Sequence, residues 1–182
     1  MPTLRFKIHW DKCLEGIHLL AARQAGITTF YVSKVFFFAD KKHLLDWGRP
    51  ISGDRYIAME NGPVPSNIYD LIKQNEYLAD DLLDEFERRI EKRGRHLYSR
   101  VDFVARALSP TDVAYLEDAR ATYSQMGFGA LSRLTHSEKA WEEAWDRPGI
   151  SNEMDPALLI ADDAENRDSL IDEIKQKSAY AA

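Results

Sequence analysis

The feature that most constrains the fold is the apolar run VFFFA at residues 35–39. It lies in the middle of a segment that Thr28 or Thr29 can cap and that continues as a helix to about Trp47. A helix that is apolar on every side has no face to present to water, so it has to be buried. We therefore expect this helix at the centre of the fold, with its polar far end, DKKHLLDWG, reaching solvent.

Other segments with helical spacing of apolar residues surround this one in the sequence. The first of them begins near Trp10, and His18 falls on its polar side, so we expect His18 to be solvated. Ser109 and Pro110 form a strong helix start. Residues 135–138, THSE, fit a capping box for a later helix. A last amphipathic helix is predicted in RDSLIDEIKQKSA, residues 167–179.

Two segments indicate antiparallel β-structure. Residues 56–59 alternate as a half-buried strand does, and Asn61-Gly62 then reverses the chain. Residues 86–103 look like a hairpin in which Gly94 occupies a turn that needs a positive φ angle. The predicted fold class is α+β and mainly helical: a central buried helix, surrounding helices and a small antiparallel β element.

Charge divides the chain unevenly. Residues 1–150 carry 21 Lys and Arg against 22 Asp and Glu, whereas residues 151–182 carry 3 against 8. We predict one domain over residues 1–150 and an acidic C-terminal helical extension over residues 151–182. A general nucleic-acid binder usually has the opposite excess of charge, so we expect no nucleic-acid partner.

The sequence lacks the features of membrane and secreted proteins. No apolar run reaches the roughly 18 residues that cross a membrane, and polar residues interrupt the start of the chain, so we expect neither a membrane span nor a signal peptide. Cys13 is the only cysteine, which excludes an internal disulfide and a thiolate zinc site. We expect a cytoplasmic protein without a cofactor.

The segment DRYIAMENGPVPSNIYD, residues 54–70, packs a strand, a bend and a helix start into seventeen residues. Two prolines and two turn residues restrict its backbone before any partner arrives, and a pre-ordered loop loses little entropy on binding. Aromatic and Met side chains are enriched at interface cores. We interpret this corner, with the exposed end of the central helix, as a partner-binding surface. The predicted contacts are Lys41, Lys42, Trp47, Tyr56, Met59, Glu60, Asn61, Pro63, Val64, Pro65, Ser66 and Tyr69. The alternative is that the corner only joins a strand to a helix and packs the core.

The order of short motifs from residue 35 to residue 72 resembles the signature of the Panacea, or SocA-like, antitoxin family. That pattern is an apolar helix ending in Ala-Asp, then a His-Leu pair, Gly-Arg-Pro-Ile, Gly-Asp-x-Tyr and Gly-Pro-Val. The matching residues here are Ala39-Asp40, His43-Leu44, Gly48 to Ile51, Gly53-Asp54, Tyr56 and Gly62 to Val64. LTHSEKAWEEA, residues 134–144, is similar to a later element of the family, and the resemblance spans roughly residues 10–147.

The resemblance implies a function. Members of this family are antitoxins of two-gene toxin–antitoxin systems, which neutralise the toxin encoded next to them by binding it. For the SocA type, the implied activity is that of an adaptor that brings the toxin to a bacterial AAA+ protease such as ClpXP. The end of the chain, Tyr180-Ala181-Ala182, is similar to the Leu-Ala-Ala ending that ClpX-type unfoldases recognise. We take contact of these three residues with the protease as a hypothesis, and a frayed terminus as its alternative.

Two other functions remain as alternatives. One is a DNA-binding regulator acting through the hairpin at 86–103, which is rich in Arg and Lys; a two-stranded ribbon can enter the major groove. The other is a small hydrolase or transferase that uses His43 and Asp40, three residues apart on one helix. We expect no enzyme activity, since the sequence has no metal-ligand spacing, nucleophile motif or phosphate-binding loop.

Overall fold

A computed structural model describes residues 3–150, 152–160 and 166–180, with the backbone alone at residues 178–180. The described part of the chain folds into eight α-helices, a 3-10 helix at Pro156–Leu159 and five short strands. The helices are α1 Trp10–Arg23, α2 Thr29–Trp47, α3 Ser66–Lys73, α4 Asp80–Arg89, α5 Pro110–Tyr123, α6 Phe128–His136, α7 Lys139–Trp145 and α8 Arg167–Tyr180. The strands are β1 Ile27–Thr28, β2 Tyr56–Met59, β3 Gly62–Pro65, β4 Ile90–Arg93 and β5 His96–Ser99. The predicted α+β, mainly helical class is confirmed.

Helix α2 is the central element, as its apolar run predicts. Val35, Phe36 and Phe37 have almost no contact with solvent, and α2 packs against α5, α3 and strands β1 and β3. Gly48 ends the helix in the left-handed conformation, with φ 70° and its N–H donating to Leu44 O at 2.8 Å. The last helical residue, Trp47, is 58% exposed.

Two small antiparallel sheets flank this helix. Strands β2 and β3 pair as a hairpin closed at Met59 and Gly62. Strands β1, β5 and β4 form the second sheet, in that order. The prediction of a hairpin beginning at residue 86 is wrong, because residues 86–89 form the end of α4. Acidic residues in the first turn of α4 and basic residues in its last turn favour the helix dipole, and Phe86 is buried at helical spacing from Leu82 and Leu83.

The C-terminal segment contacts strand β2, the N-terminal segment and the end of α2. Glu153 forms an isolated β-bridge with Ile57, where Ala58 N–H donates to Asn152 O at 2.9 Å. Beyond it, a second apolar cluster joins α8 to the N-terminal segment and the end of α2; its buried members are Leu4, Leu44, Ala157, Ile160, Ile171 and Ile174. The division of the chain at residue 150 stays a prediction.

Two local predictions about polar residues are wrong. His18 is buried, with Nε2 at 2.9 Å from Ser99 Oγ and 3.1 Å from Val101 O, because the loop after β5 covers that side of α1. Residues 135–138 do not form a capping box, since α6 continues through His136 and the Thr135 hydroxyl donates back to Ser132 O. The Ser109 start is confirmed, with a complete capping box to Asp112. Over the described ranges, no helix has the length and apolar character needed to cross a membrane.

Candidate protein-binding site

The carboxylate of Asp40, on α2, binds the buried side of the segment that leads into the corner at residues 54–70. Its oxygens accept the N–H groups of Ile51 and Ser52 at 2.8 and 3.0 Å, the Ser52 hydroxyl, and the Tyr56 hydroxyl at 2.9 Å. Burial raises the pKa of Asp40, and these hydrogen bonds act against that shift. One buried side chain therefore fixes the loop between α2 and β2.

A second buried carboxylate, Asp54, fixes the helix that leaves the corner. It accepts the backbone N–H groups of Asn67 and Ile68 at 3.1 and 2.8 Å, so it caps the start of α3. Burial raises the pKa of Asp54 to about 6. Gly53 beside it has φ 68°, and a Cβ there would lie 1.9 Å from Lys7 O, so only glycine fits.

Three of the predicted contacts are buried. Tyr56 is 8% exposed; its ring packs edge-on against Phe37 and its hydroxyl binds Asp40. Pro63 and Pro65 are buried in β3, opposite Ala58 and Tyr56. The expectation of an exposed Tyr56 is wrong, and partner contact by Pro63 and Pro65 stays a prediction. Alternation along the hairpin turns one face of it toward the core.

The other face of the hairpin borders an open groove of about 600 Å³ between β2, β3, α3 and the start of α2. We call it the corner groove. Six of the predicted contacts line it together: Met59, Glu60, Asn61, Val64, Ser66 and Tyr69. Met59 is 42% exposed, and Val64 and Tyr69 are half-buried. Whether these residues contact a partner stays a prediction.

Sequence reasoning missed the groove residues that come from α2 and from the turn before β5. Phe30 lies at the groove with its ring 4.4 Å from that of the exposed Phe128. Lys34 lies at the floor; it is 1% exposed and donates to Pro63 O at 2.8 Å. Burial lowers the pKa of Lys34 to about 7. The available signal was a lysine directly before the apolar run of a helix predicted to be buried. Arg95, from the turn before β5, lines the rim.

The tip of the hairpin rests on the later family element, in α6 and α7. Trp141 Nε1 donates to Met59 O at 3.1 Å, and its ring stacks on that of His136 at 3.9 Å. Gly62 has φ 98°, and a Cβ there would lie 2.2 Å from Thr135 Oγ1. The interpretation of His136 as part of a helix cap is therefore replaced by a packing contact beneath the hairpin.

The predicted contacts at the end of α2 lie elsewhere. Lys41 pairs with Glu138 at 2.7 Å, Lys42 pairs with Asp46 at 2.7 Å, and Trp47 Nε1 donates to the Tyr115 hydroxyl at 3.0 Å. Thirteen residues separate Lys34 from Trp47, or about 20 Å along a helix. The structure therefore places Lys42 and Trp47 on a surface distinct from the corner groove.

The geometry of His43 and Asp40 argues against the hydrolase alternative. Both side chains are buried, and His43 Nδ1 lies 2.7 Å from Arg49 O. His43 Nε2 lies 3.4 Å from a carboxylate oxygen of Asp112, itself buried. Both residues hold the loop from 48 to 54 and face the interior. Among the residues that the structure describes, no group of three or more His, Cys, Asp or Glu could hold a metal ion.

Three of the six basic residues of the predicted hairpin pair with carboxylates. Arg88 and Arg89, now part of α4, both contact Glu85. Arg93 pairs with Glu91 at 2.8 Å within β4. These pairs reduce the positive charge that a DNA backbone would meet.

Comparison with known proteins gives one match. The family model described as "Antitoxin SocA-like, Panacea domain" matches residues 32–142, which is 111 of the 182 residues. No curated protein and no solved structure matches the chain. The matched range runs from α2 into α7, and it contains Lys34, the hairpin and Trp141 but not Phe30.

Proposed function

The chain belongs to the family of SocA-like antitoxins with a Panacea domain, and from this we propose that it neutralises a toxin protein, encoded beside it, by binding the toxin. The observation that carries the proposal is the corner groove, in which six residues predicted from sequence as contacts meet. The groove is open, and apolar side chains from α2, β2 and β3 line it.

The rigidity of the corner supports this function. Asp40 and Asp54 bind the backbone before and after the β2–β3 hairpin, so the hairpin needs little ordering when a partner arrives. A stable interface of standard size buries about 1,600 Å² in total, so toxin contacts extend beyond the groove. The exposed Phe128, adjoining Phe30, is the nearest apolar extension.

We infer that the chain acts by binding and without catalysis, in the cytoplasm. The polar side chains of the family motif support this, because His43, Asp40 and Asp54 all point into the protein and bind backbone groups of the corner. In these positions the three side chains stabilise the backbone of the corner. A substrate would find none of the three at the surface.

The test is co-purification of the chain with the product of the adjacent gene, together with rescue of growth when that product is expressed. Val64→Arg places a long charged side chain in the groove, and we expect it to weaken binding at least tenfold. Val104→Arg is the matched control, since Val104 is 61% exposed and lies outside the groove lining. Equal binding by the two variants would place the interface elsewhere, and a toxin that never binds the wild-type chain would refute the function.

A finer part of the proposal concerns the fate of the bound toxin. We propose that the complex is delivered to a ClpX-type unfoldase through Tyr180, Ala181 and Ala182. Ala181 and Ala182 lie outside the described residues, and the backbone of Tyr180 ends α8. The support for this step is the resemblance of the three residues to a known recognition ending.

A further inference from the structure

Lys34 is a buried cation whose surroundings provide no counter-ion. Its Nζ donates to Pro63 O at 2.8 Å and lies 5.0 Å from the centre of the Phe30 ring. Among the described residues, no carboxylate oxygen lies within 4.0 Å of this nitrogen. An ammonium carries three N–H groups, so one backbone carbonyl does not exhaust its capacity to donate. A buried charge without an opposite charge is unfavourable.

The carboxylates of the corner groove are not placed to compensate Lys34. Asp70 accepts the side-chain amide of Asn75 at 2.7 Å and also the Tyr77 hydroxyl. Glu60 lies at the exposed tip of the hairpin. Arg95 adds a second positive charge at the rim. The floor of the groove therefore favours an incoming negative charge.

We propose that the corner groove binds a Glu or Asp side chain of the toxin, whose carboxylate accepts a hydrogen bond from the Lys34 ammonium. This inference rests on the proposed function, since it names the chemistry of the segment that enters the same groove. Lys34 lies beneath the surface of the groove, so an extended side chain can reach its ammonium group more easily than a backbone carbonyl can. The neighbours of that acidic residue are apolar, to match Phe30, Met59 and Val64.

The ion pair between this carboxylate and Lys34 should stabilise the complex. The carboxylate brings a counter-ion to a cation that is already desolvated, so the cost of burying the cation is not incurred again on binding. Charge-assisted hydrogen bonds of this kind are roughly twice as strong as neutral ones. A glutamine in place of the glutamate retains the shape and loses this advantage.

Short blocked peptides test the proposal without the toxin. The probes are acetyl-Phe-Glu-Phe-amide, acetyl-Phe-Gln-Phe-amide, and acetyl-Phe-Gln-Phe with a free terminal carboxylate. Binding to the full ¹⁵N-labelled chain is followed through the backbone amides of Ser33, Val64 and Tyr69, which line the groove. We expect the glutamate peptide to bind at least fivefold more tightly than either glutamine peptide.

Two lysine variants test whether the preference for the glutamate peptide depends on Lys34. In Lys34→Met the preference for the glutamate peptide is lost. In the control Lys73→Met it is kept, although Lys73 lies over the Tyr69 ring at 4.8 Å and carries the same charge. Equal binding of the peptides, a preference that survives in Lys34→Met, tighter binding of the free terminal carboxylate, or no binding at all would each overturn the proposal.

A pH series on the wild-type chain covers the case in which Lys34→Met does not fold. The pKa of Lys34 is about 7, so the glutamate preference falls above pH 7, by at most tenfold per pH unit. Its ionisable neighbours are Glu60 and Asp70 at the groove, Arg95 at the rim, and His136 on α6. Burial lowers the pKa of His136 from its usual value of 6.5, so this residue does not explain a change above pH 7. A flat preference over this range would contradict the proposal.

Calorimetry with the toxin separates this inference from the proposed function. Pairing raises the pKa of Lys34, so toxin binding at pH 8 takes up a proton. That uptake appears as a difference in binding enthalpy between phosphate and Tris buffers. Toxin binding without proton uptake would refute the role of Lys34 and leave the antitoxin function intact, whereas absence of toxin binding would refute the function itself.

Discussion

At the scale of single residues, Asp40 is buried and yet fixes the conformation of the loop that leads to the proposed partner-binding hairpin. It belongs to the family motif and binds the backbone of the loop leading to the hairpin. Tyr56, in the same motif, completes this arrangement from the strand. The polar residues of the motif are therefore better explained by the geometry of the corner than by direct contact.

Replacing Asp40 tests this explanation. Asp40→Ala leaves the N–H groups of Ile51 and Ser52 without their acceptor, and an unsatisfied buried donor costs about 1–3 kcal/mol. We expect the free energy of unfolding in urea to fall by about 3 kcal/mol and toxin affinity to fall with it. Tyr56→Phe removes one hydrogen bond, so it should cost about 1 kcal/mol and leave toxin affinity unchanged. A large loss of affinity in Tyr56→Phe at full stability would restore Tyr56 as a contact.

Lys34 gives stability a dependence on pH whose sign follows from its burial. The pKa of Lys34 is lowered from 10.5 to about 7, so between these values the unfolded chain holds a proton that the folded chain has lost. Stability therefore rises with pH above 7, by up to about 1.4 kcal/mol per pH unit. We expect the free energy of unfolding of the wild type, minus that of Lys34→Met, to rise by about 2 kcal/mol from pH 7 to pH 9. A difference that is constant with pH would show that Lys34 keeps an ordinary pKa.

At the scale of elements, the parts that could be predicted are those encoded by local pattern. Helix α2 follows from an apolar run without a polar face, and the start of α5 follows from Ser109-Pro110. The alternation of residues 56–59 predicts a half-buried strand, and β2 is one, with Tyr56 and Ala58 on its buried side. These signals lie within a few residues of one another, so no knowledge of packing is needed.

Other elements depend on contacts between distant segments, which the sequence pattern does not display. The sequence predicts a strand where residues 86–89 end α4, because a charged segment with apolar residues at 86 and 90 suits either structure. The groove combines Phe30, Val64 and Arg95, which are brought together only by folding. Six of the groove residues were therefore predicted, all from the corner, and those from α2 and from the turn before β5 were missed.

The hairpin β2–β3 allows a test of how tightly the corner has to pack. Gly62 and Gly94 both have a positive φ angle, but a Cβ at Gly62 would meet Thr135 whereas nothing lies within 4 Å of one at Gly94. We expect Gly94→Ala to cost about 1 kcal/mol through backbone strain alone. Gly62→Ala should cost clearly more and weaken toxin binding. Urea unfolding and co-purification measure the two effects, and equal costs would mean that the hairpin can move away from α6.

At the scale of the whole molecule, the question is whether α8 folds with the rest of the chain. Ile174 is 1% exposed in the cluster that joins α8 to Leu4 and Leu44. If this is one cooperative unit, Ile174→Ala should lower the free energy of unfolding by about 2–4 kcal/mol. Tryptophan fluorescence in urea reports this, since Trp10 and Trp141 lie outside α8. An unchanged midpoint would instead support a boundary near residue 150.

The end of the chain can be tested separately from the buried contacts of α8. Ile174 is the last buried residue of α8 whose side chain is described, so removing Tyr180, Ala181 and Ala182 leaves the apolar cluster in place. We expect this deletion to lengthen the half-life of the toxin in a ClpX-dependent degradation assay at least threefold, with toxin affinity unchanged. A matched variant of full length, Ala181→Asp with Ala182→Asp, should have the same effect, because a ClpX-type unfoldase that reads a small uncharged ending would reject two carboxylates. If the toxin is degraded at the wild-type rate in the presence of either variant, residues 180–182 do not act as a recognition signal. The chain would then neutralise its partner by occlusion.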